Sequence, residues 1–575
     1  MKGLTMIGRS VCFAAMLTWS ATLACAQTPA PGAGGPATIE DLGPLPATVV
    51  GRAMSSDGRR IALACQEDQK FWVSVDGQDG PEYDGINKDS LAFSPDGKRV
   101  AYVAKKREQW VMVADGQAGE GFASLSGPIF SPDGNRLAYL ASRAGGQAAV
   151  VDGQASETYE HIEWVFFSAD GKHVGYAVNK DQQRLMMVDG QAGPAYDDLV
   201  GWASMFAPQG PRMAYAANNG RRWISNVDGE ESPEYQDMRG PLFSRDGRHV
   251  LWSGEREGKV YVAVDGKEGT PHRPPIAGNP FFSDDARHVA LVVSKGEGRV
   301  AAVVDEREEA EYPQIDGLSF VPGTASVVYR VRKDEKWLAV IAGQPGPVYD
   351  QVGAVTCSPQ GGRAAYAART GGKWRVVADG KPGPEYDDVS TPLFSPDGKR
   401  LAYAARGKAN KWCVVVDGQA GPDCDAVGKG TPVFSPDGKH LVYVAEKGQK
   451  QAVMVDGQAG PDYDLTLPAA VGFKARARRA PAAKGKSPVA AADKGVAQDY
   501  DLGGQITPLF SSDGRHMAYS AHGDGAWQVV IDGHAGPQCQ AIVNPEPARY
   551  SFDADGTLVY LAIKDDSLCR VRQKP

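Results

Sequence analysis

Hydrophobic positions along this chain come in short runs, and each run is closed by a turn. In PLFSPDGKRLAYAARGKANKWCVVVDG, which begins at Pro392, an apolar pair precedes SPDG, the run RLAYAA follows it, and WCVVV ends at DG. Runs rich in β-branched and aromatic residues between such turn residues are typical of β-strands in hairpins. The middle runs are nearly continuous in apolar residues, which indicates strands buried on both faces.

The same unit returns with a period of about 38 residues, which is typical of a propeller blade. Val, Tyr and Asp-Gly turns dominate each unit, and no unit holds a long stretch of helical periodicity, so a helical solenoid is disfavoured. The residue three before the turn aspartate, or its equivalent, marks the units at Met54, Phe93, Phe130, Phe167, Phe206, Phe243, Phe282, Phe320, Cys357, Phe394, Phe434, Phe473, Phe510 and Phe552.

These units predict an all-β fold of tandem β-propellers with about fourteen four-stranded blades. Because propellers of four to eight blades are typical, we expect seven plus seven, with six plus eight as the alternative. The first propeller would span residues 27–316 and the second residues 317–575. Within a unit, the fourth strand is expected around YDDV.

The two ends of the chain are expected to share one blade. The last unit passes through LCRV at 568–571 and stops where its fourth strand should begin. The segment ATIEDL at 37–42 resembles a spare fourth strand. Sharing a blade would leave no open sheet edge.

The unit around Phe473 departs most from the repeat. Its spacing from Asp493 to Tyr500 equals that from Asp379 to Tyr386 in a regular unit, so residues 466–503 are interpreted as a decayed blade or loop. A basic stretch without acids could bind an anion such as a lipid headgroup or an acidic partner; the alternative is a solvated segment. Its candidate binding residues are Lys474, Arg476, Arg478, Arg479, Lys484 and Lys486.

Residues 1–26 are typical of a signal peptide. Lys2 and Arg9 precede an apolar stretch, and Ala24-Cys25-Ala26 is a small-x-small cleavage site that would leave Gln27 as the new N-terminus. The alternative is a lipoprotein anchored at Cys25. We therefore expect a periplasmic or secreted protein without a transmembrane segment. The net charge of -8 and the pI near 5.7 argue against nucleic-acid binding.

The FSPDGKRLAY core resembles the WD40-like repeat of TolB-like periplasmic propellers and of propeller domains in prolyl oligopeptidase relatives. The resemblance implies the same blade type across nearly the whole mature chain. TolB carries an α/β domain before its propeller and the peptidases carry a hydrolase domain. Neither has a counterpart here, which puts both activities in doubt.

Candidate chemistry is sparse, and we expect neither a catalytic nor a metal site nor a cofactor. His173, His249, His288, His440 and His516 share one repeat position with several arginines, which indicates a structural role. The turn aspartates are expected to bond backbone amides rather than calcium. Cys413 and Cys424 flank a DGQAGP turn, where an exported protein could oxidise them to a disulfide.

The function predicted is that of an exported, non-enzymatic scaffold that binds a protein partner or a ligand in the cell envelope. The alternatives are an enzyme whose channel site is assembled from several blades, and a glycan or small-ligand sensor. Loops on a rigid frame commonly carry binding. The loops that vary in length between units are the first candidates for binding, namely the segments 217–222, 252–259, 268–280 and 405–411.

Overall fold

The structure, a computed structural model, describes residues 37–46, 48–200, 205–464, 508–523, 525–543 and 551–575. Thirteen antiparallel sheets make up these residues, with a single 3-10 turn at Lys408–Asn410. The all-β propeller class is therefore confirmed, with thirteen described blades against about fourteen expected. The remaining predicted unit, at Phe473, lies outside the described residues. Within these ranges no helix is long and apolar enough to cross a membrane.

Each sheet has four strands, and the first strand is broken in two in some of them. Sheets 1 to 4 comprise Val49–Met54, Ile61–Glu67, Lys70–Val75 and Gln78–Asp79; Gly85–Phe93, Val100–Lys106, Gln109–Ala114 and Gln117–Phe122; Ser124–Leu125, Ile129–Phe130, Leu137–Arg143, Gly146–Val151 and Gln154–Ala155; and His161–Phe167, Val174–Lys180, Gln183–Val188 and Gln191–Tyr196. Sheets 5 to 8 comprise Asp198–Val200, Ala214–Asn219, Arg222–Val227 and Glu230–Glu231; Asp237–Phe243, Val250–Arg256, Lys259–Val264 and Lys267–Glu268; Ile276–Phe282, Val289–Gly296, Arg299–Val304 and Arg307–Tyr312; and Gln314–Phe320, Val327–Lys333, Lys336–Ile341 and Gln344–Pro345.

Sheets 9 to 11 comprise Gln351–Val352, Thr356–Cys357, Ala364–Thr370, Lys373–Ala378 and Lys381–Pro382; Asp388–Val389, Leu393–Phe394, Leu401–Arg406, Trp412–Val416 and Gln419–Ala420; and Ala426–Val427, Val433–Phe434, Leu441–Lys447, Lys450–Val455 and Gln458–Asp464. Sheets 12 and 13 comprise Leu509–Phe510, Met517–Gly523, Ala526–Ile531 and His534–Ala535; and Ala541–Ile542, Ser551–Phe552, Leu558–Lys564, Ser567–Gln573 and the N-terminal strand Ala37–Pro44.

A serine and an aspartate close the turn between the first and second strands. In sheet 2 the Ser94 hydroxyl donates to Asp96 Oδ1 over 2.6 Å, and the Gly97 amide donates to the Ser94 carbonyl over 2.8 Å. Asp96 also accepts from the backbone amide of Lys98. The turn therefore follows from the SPDG sequence, and its aspartate bonds backbone as expected.

An Asp-Gly pair closes the turn between the third and fourth strands. Asp115 has φ of 51° and Gly116 has φ of 79°, so both central residues are left-handed, as a type I′ hairpin requires. The Asp115 carboxylate accepts from the Val100 amide over 3.0 Å and so joins this turn to the second strand. The VDG motif thus sets both the turn and the register.

The prediction for the fourth strand is corrected in part. Tyr386 pairs with Trp374 at the outer edge of sheet 9, as a fourth-strand residue would. Asp388–Val389, however, pairs with the second strand of sheet 10 and begins its first strand. The YDDV stretch therefore crosses from one blade to the next.

Neighbouring sheets pack face to face in chain order, and one hydrophobic cluster lies between the members of each pair. The last gap joins sheet 13 to sheet 1, where Leu561 and Ile563 pack with Ile61 and Leu63. Ala37–Pro44 pairs with Ser567–Gln573 as the fourth strand of sheet 13. The prediction that the two ends share one blade is confirmed.

The packing describes one ring of sheets. Cluster residues continue across residue 316, because Ala290 and Ala302 of sheet 7 pack with Val327 and Tyr329 of sheet 8. Two rings of seven would instead bring sheet 7 against sheet 1, and no cluster among the described residues joins those two sheets. The clusters therefore connect the thirteen described sheets in one closed series. Whether 27–316 and 317–575 fold independently stays a prediction.

Candidate ligand-binding site

A repeated arginine ties each sheet to the next one on the face that carries the Ser-x-Asp turns. Arg99 donates from Nε to Asp115 Oδ2 over 2.8 Å and from a terminal nitrogen to the Asn135 carbonyl of sheet 3 over 2.7 Å. Its guanidinium also lies 5.5 Å from the ring centre of Phe130. These are cohesive contacts between blades.

Histidine takes the place of this arginine in five sheets. His173 Nδ1 lies 2.6 Å from Asp189 Oδ2, and the other four histidines contact the equivalent aspartate over 2.5 to 2.7 Å. These five residues therefore have the structural role that their repeat position indicates. No group of three or more His, Cys, Asp or Glu side chains that could hold a metal occurs within the described ranges.

Two aromatic rings fill the outer part of most gaps between sheets. Tyr83 on the fourth strand of sheet 1 meets Tyr102 on the second strand of sheet 2 edge to face, with ring centres 6.2 Å apart. Eight gaps contain such a pair, at 5.9 to 6.5 Å. This geometry suits the quadrupoles of the two rings and fills the space between the sheets.

The gap between sheets 6 and 7 lacks both rings. His272 stands at the fourth-strand position and Leu291 at the second-strand position, so neither residue fills the volume of a tyrosine. A cavity of about 680 Å³ opens there, with Val262, Phe282 and Val303 among its apolar lining. Its size and apolar floor are those of a small-molecule site.

A carboxylate lies in the same gap at an unusual backbone position. Glu306 follows Asp305 in the VDG turn, where other sheets have glycine, and it adopts a left-handed φ of 66°. Its Oε2 accepts from the Thr270 hydroxyl over 3.1 Å. Gln69, Gln182 and Glu335 adopt the same left-handed φ in other hairpin turns, so Glu306 is distinguished by replacing the glycine of the VDG motif.

Two cations, Lys267 and Arg287, line the cavity without forming an ion pair with the Glu306 carboxylate. The other carboxylates of the lining have basic partners: Asp265 with His249, Glu268 with Arg256, and Asp305 with His288. No lysine or arginine of the described residues forms an ion pair with Glu306. Burial lowers the pKa of His272, so its imidazole is neutral at neutral pH. The gap thus offers a free acceptor above an apolar floor.

Most of the predicted site residues are not brought into this gap. The basic residues Lys474 to Lys486 lie outside the described residues, as do Ala26, Gln27 and the alternative anchor Cys25. Their roles stay predictions. Four lining residues of the cavity belong to the variable segment 268–280, namely Glu268, Gly269, Thr270 and His272.

The predicted disulfide is not formed in the structure, where both Cys413 and Cys424 are free and buried. The reason is the register, which places Cys424 opposite Trp412. Directly paired residues share a face of the sheet, so Cys413 points to the other face, where it packs with Val376 of the preceding sheet. The Cys424 thiol instead lies 3.3 Å from the Trp412 carbonyl.

The cavity could not be found by a motif search, because it arises where the repeat loses two large residues. An alignment of the units shows one sign of the cavity. The residue seven positions after Asp265 is a histidine, whereas most units have a tyrosine there. Leu291 and Glu306 depart from the repeat in the same gap. The three departures become one site only when sheets 6 and 7 are packed together.

Thirteen four-stranded sheets packed in chain order define a β-propeller repeat protein. No family model matches the chain, and no curated protein matches it. It is similar to the solved structure of a eukaryotic initiation factor, with 12% identity, 64% of this chain and 95% of that chain covered, and a TM-score of 0.29.

Two further solved structures are similar to parts of the chain. The Cps50 (Swd1) β-propeller domain of Myceliophteria thermophila shows 11% identity, with 58% of this chain and 94% of that chain covered and a TM-score of 0.21. A prolyl endopeptidase shows 14% identity, with 50% and 55% covered and a TM-score of 0.22. Such likenesses carry no argument about function.

Proposed function

We propose that this protein is an exported β-propeller that binds a small ligand in the cell envelope without converting it. The observation that carries the proposal is the open gap between sheets 6 and 7. Leu291 and His272 stand there in place of two tyrosines, and the Glu306 carboxylate lacks a cation. A rigid ring of blades in which this gap is open is suited to binding, because the site is already formed before the ligand arrives.

Export is supported by the pattern of residues 1–26, with its charged start, apolar stretch and small-x-small ending. N-terminal sequencing of the protein recovered from the envelope fraction tests this part. The first residue is expected to be Gln27. A chain that still begins at Met1 would contradict export by cleavage, and a lipid on Cys25 would favour the anchored alternative.

Binding is tested by recovering what the protein carries. The exported chain is purified under native conditions and denatured, and the released small molecules are identified by mass spectrometry. Leu291→Tyr, which returns the tyrosine of the repeat to the gap, is treated identically. Leu242→Tyr is the matched control, because Leu242 is 37% exposed and lies outside the cavity.

The expected result is a compound that is recovered from the wild type and from the Leu242→Tyr control but is lost from Leu291→Tyr. Incubation of that compound with fresh protein should return it unchanged. Equal recovery from all three proteins, or no compound from any, would contradict a ligand site in this gap. Chemical conversion of the compound would replace the binding role with an enzymatic one.

A further inference from the structure

A phenol oxygen occupies a recurring place in the gaps of this ring. In seven gaps, the hydroxyl of the second-strand tyrosine lies 3.3 to 3.9 Å from the position that a Cβ on the fourth-strand glycine would take, as Tyr102 does beside Gly80. In the gap between sheets 6 and 7 the equivalent glycine is Gly269, and Glu306 Oε1 lies 2.5 Å from its Cβ position. An oxygen of the Glu306 carboxylate thus lies close to the place that a tyrosine hydroxyl takes in other gaps.

The protein also pairs phenols with glutamates in its own gaps. The hydroxyls of Tyr196 and Tyr235 each donate to a glutamate of the following sheet, Glu231 and Glu268, over 2.7 Å. Burial and then this bond to Glu231 raise the pKa of Tyr196 to about 12, so the phenol keeps its proton and remains a donor. A third such bond joins Tyr329 to Glu309 over 2.5 Å.

The gap between sheets 6 and 7 has the acceptor of this pair without the donor. Glu306 is present, whereas His272 and Leu291 replace the two residues that supply a ring elsewhere. Thr270 satisfies only one oxygen of the carboxylate. Because Leu291 is shorter than tyrosine, the apolar volume of a ring next to this carboxylate is left open.

We propose that this gap binds a phenolic compound. Its aromatic ring would pack on Leu291 and Val262, which both line the cavity, and its hydroxyl would donate to Glu306. This proposal rests on the proposed function and specifies the chemical class of the ligand. A neutral phenol suits the site because it brings an apolar body and one donor and buries no additional charge.

The test is calorimetric titration of the exported chain, first freed of any carried compound, with three probes of one shape. 4-Ethylphenol carries the donor, 4-ethylanisole has the hydroxyl methylated, and phenethylamine carries an ammonium instead. We expect 4-ethylphenol to bind one to one and 4-ethylanisole to bind about tenfold more weakly or worse, since a hydrogen bond to a charged acceptor is lost. Equal binding of the phenol and the anisole, or tighter binding of the amine, would overturn the proposal.

Variants of the gap locate the site. Glu306→Gln keeps the size of the side chain and removes its charge, and Leu291→Tyr fills the ring position; each is expected to weaken 4-ethylphenol binding about tenfold or more. Glu297→Gln is the matched control, because Glu297 lies in the same sheet, also has a left-handed φ of 51°, and is not part of the cavity. Thermal melting of each variant checks that it is folded. Unchanged binding to Leu291→Tyr would overturn the assignment.

Two sources could supply a phenol, and a fourth probe separates them. N-Acetyltyrosinamide stands for a tyrosine side chain of a partner protein, whereas 4-ethylphenol stands for a free compound. We expect the free phenol to bind more tightly, and tighter binding of the tyrosine derivative would move the source to a partner. If a carried compound is recovered from the gap but is not a phenol and none of the probes bind, the ligand class is wrong while the proposed function stands.

Discussion

At the residue scale, the turn serine and aspartate hold each blade in register. The Ser94 hydroxyl and the Lys98 amide both donate to the Asp96 carboxylate, and these bonds lower the pKa of Asp96 to about 2. The same bonds lower the pKa of the equivalent aspartates in other sheets, namely Asp133, Asp170, Asp246, Asp285, Asp397, Asp437 and Asp513. Many weak local contacts of one kind therefore depend on ionised carboxylates.

This dependence predicts a loss of stability in acid. Because the folded pKa lies below the unfolded value, the stabilisation is complete above about pH 4 and disappears as the pH falls towards about 2. Urea unfolding across that range should show a midpoint that falls with pH. Asp96→Asn, which lacks the titrating group, should show a shallower fall than the wild type. A flat midpoint would contradict the role of these turns.

The strained glutamate predicts a conflict between stability and binding. Replacing Glu306 by glycine restores the residue that suits φ of 66° and should stabilise the ligand-free protein by about 1 kcal/mol. The same change should abolish binding of the carried ligand. Urea unfolding and titration of the one variant measure both effects. A less stable Glu306→Gly protein would show that the glutamate is held there for packing rather than for a ligand.

At the element scale, the joint between two sheets depends on the ring pair that fills it. Tyr366 of sheet 9 is 1% exposed and meets Tyr349 of sheet 8 edge to face at 6.3 Å. A cavity lies in the joint between sheets 6 and 7, where Leu291 and His272 replace both rings. The repeat pattern alone cannot reveal this. It predicts that an aromatic residue at this position is buried, but not which neighbouring sheet the ring packs against.

Removing one ring should therefore open a second cavity. Tyr366→Leu copies the residue of sheet 7 and is expected to lower the free energy of unfolding by about 2 to 4 kcal/mol, since the surroundings collapse only partly. Tyr366→Phe keeps the ring and should cost at most about 1 kcal/mol. Urea unfolding compares the two variants. Equal losses would mean that the hydroxyl, not the ring, holds the joint.

At the scale of the whole molecule, the repeat predicts the blades and their approximate count, but it does not determine how they are divided into rings. Strand type and turn chemistry depend on residues close in the chain, so SPDG and VDG were sufficient to predict them. The number of rings depends on the angles between neighbouring sheets, summed over all joints. The sequence of a single unit does not determine that sum. Closure of the ring could be predicted from the two ends of the chain, because Ala37–Pro44 pairs with Ser567–Gln573 as the fourth strand of sheet 13.

One ring predicts that neither half of the chain folds alone. The predicted boundary at 316 falls within the first strand of sheet 8, Gln314–Phe320, so the cut that separates sheets 7 and 8 lies after residue 313, and it leaves Ala302 and Val327 exposed on open faces. The fragments 27–313 and 314–575, expressed separately, should be unfolded or aggregated and should assemble only when expressed together. Circular dichroism and ultracentrifugation of each fragment are the measurements. Two compact, cooperative fragments would establish the two-propeller division instead.

The central claim is that, in a ring of blades, the gap between sheets 6 and 7 is open for a ligand. A crystal structure of the exported chain grown with 4-ethylphenol tests this most directly. The account predicts sheet 13 packed on sheet 1, with a phenol ring on Leu291 and its oxygen within hydrogen-bond distance of Glu306. Two separate rings, or a phenol bound elsewhere while the gap between sheets 6 and 7 stays empty, would contradict it.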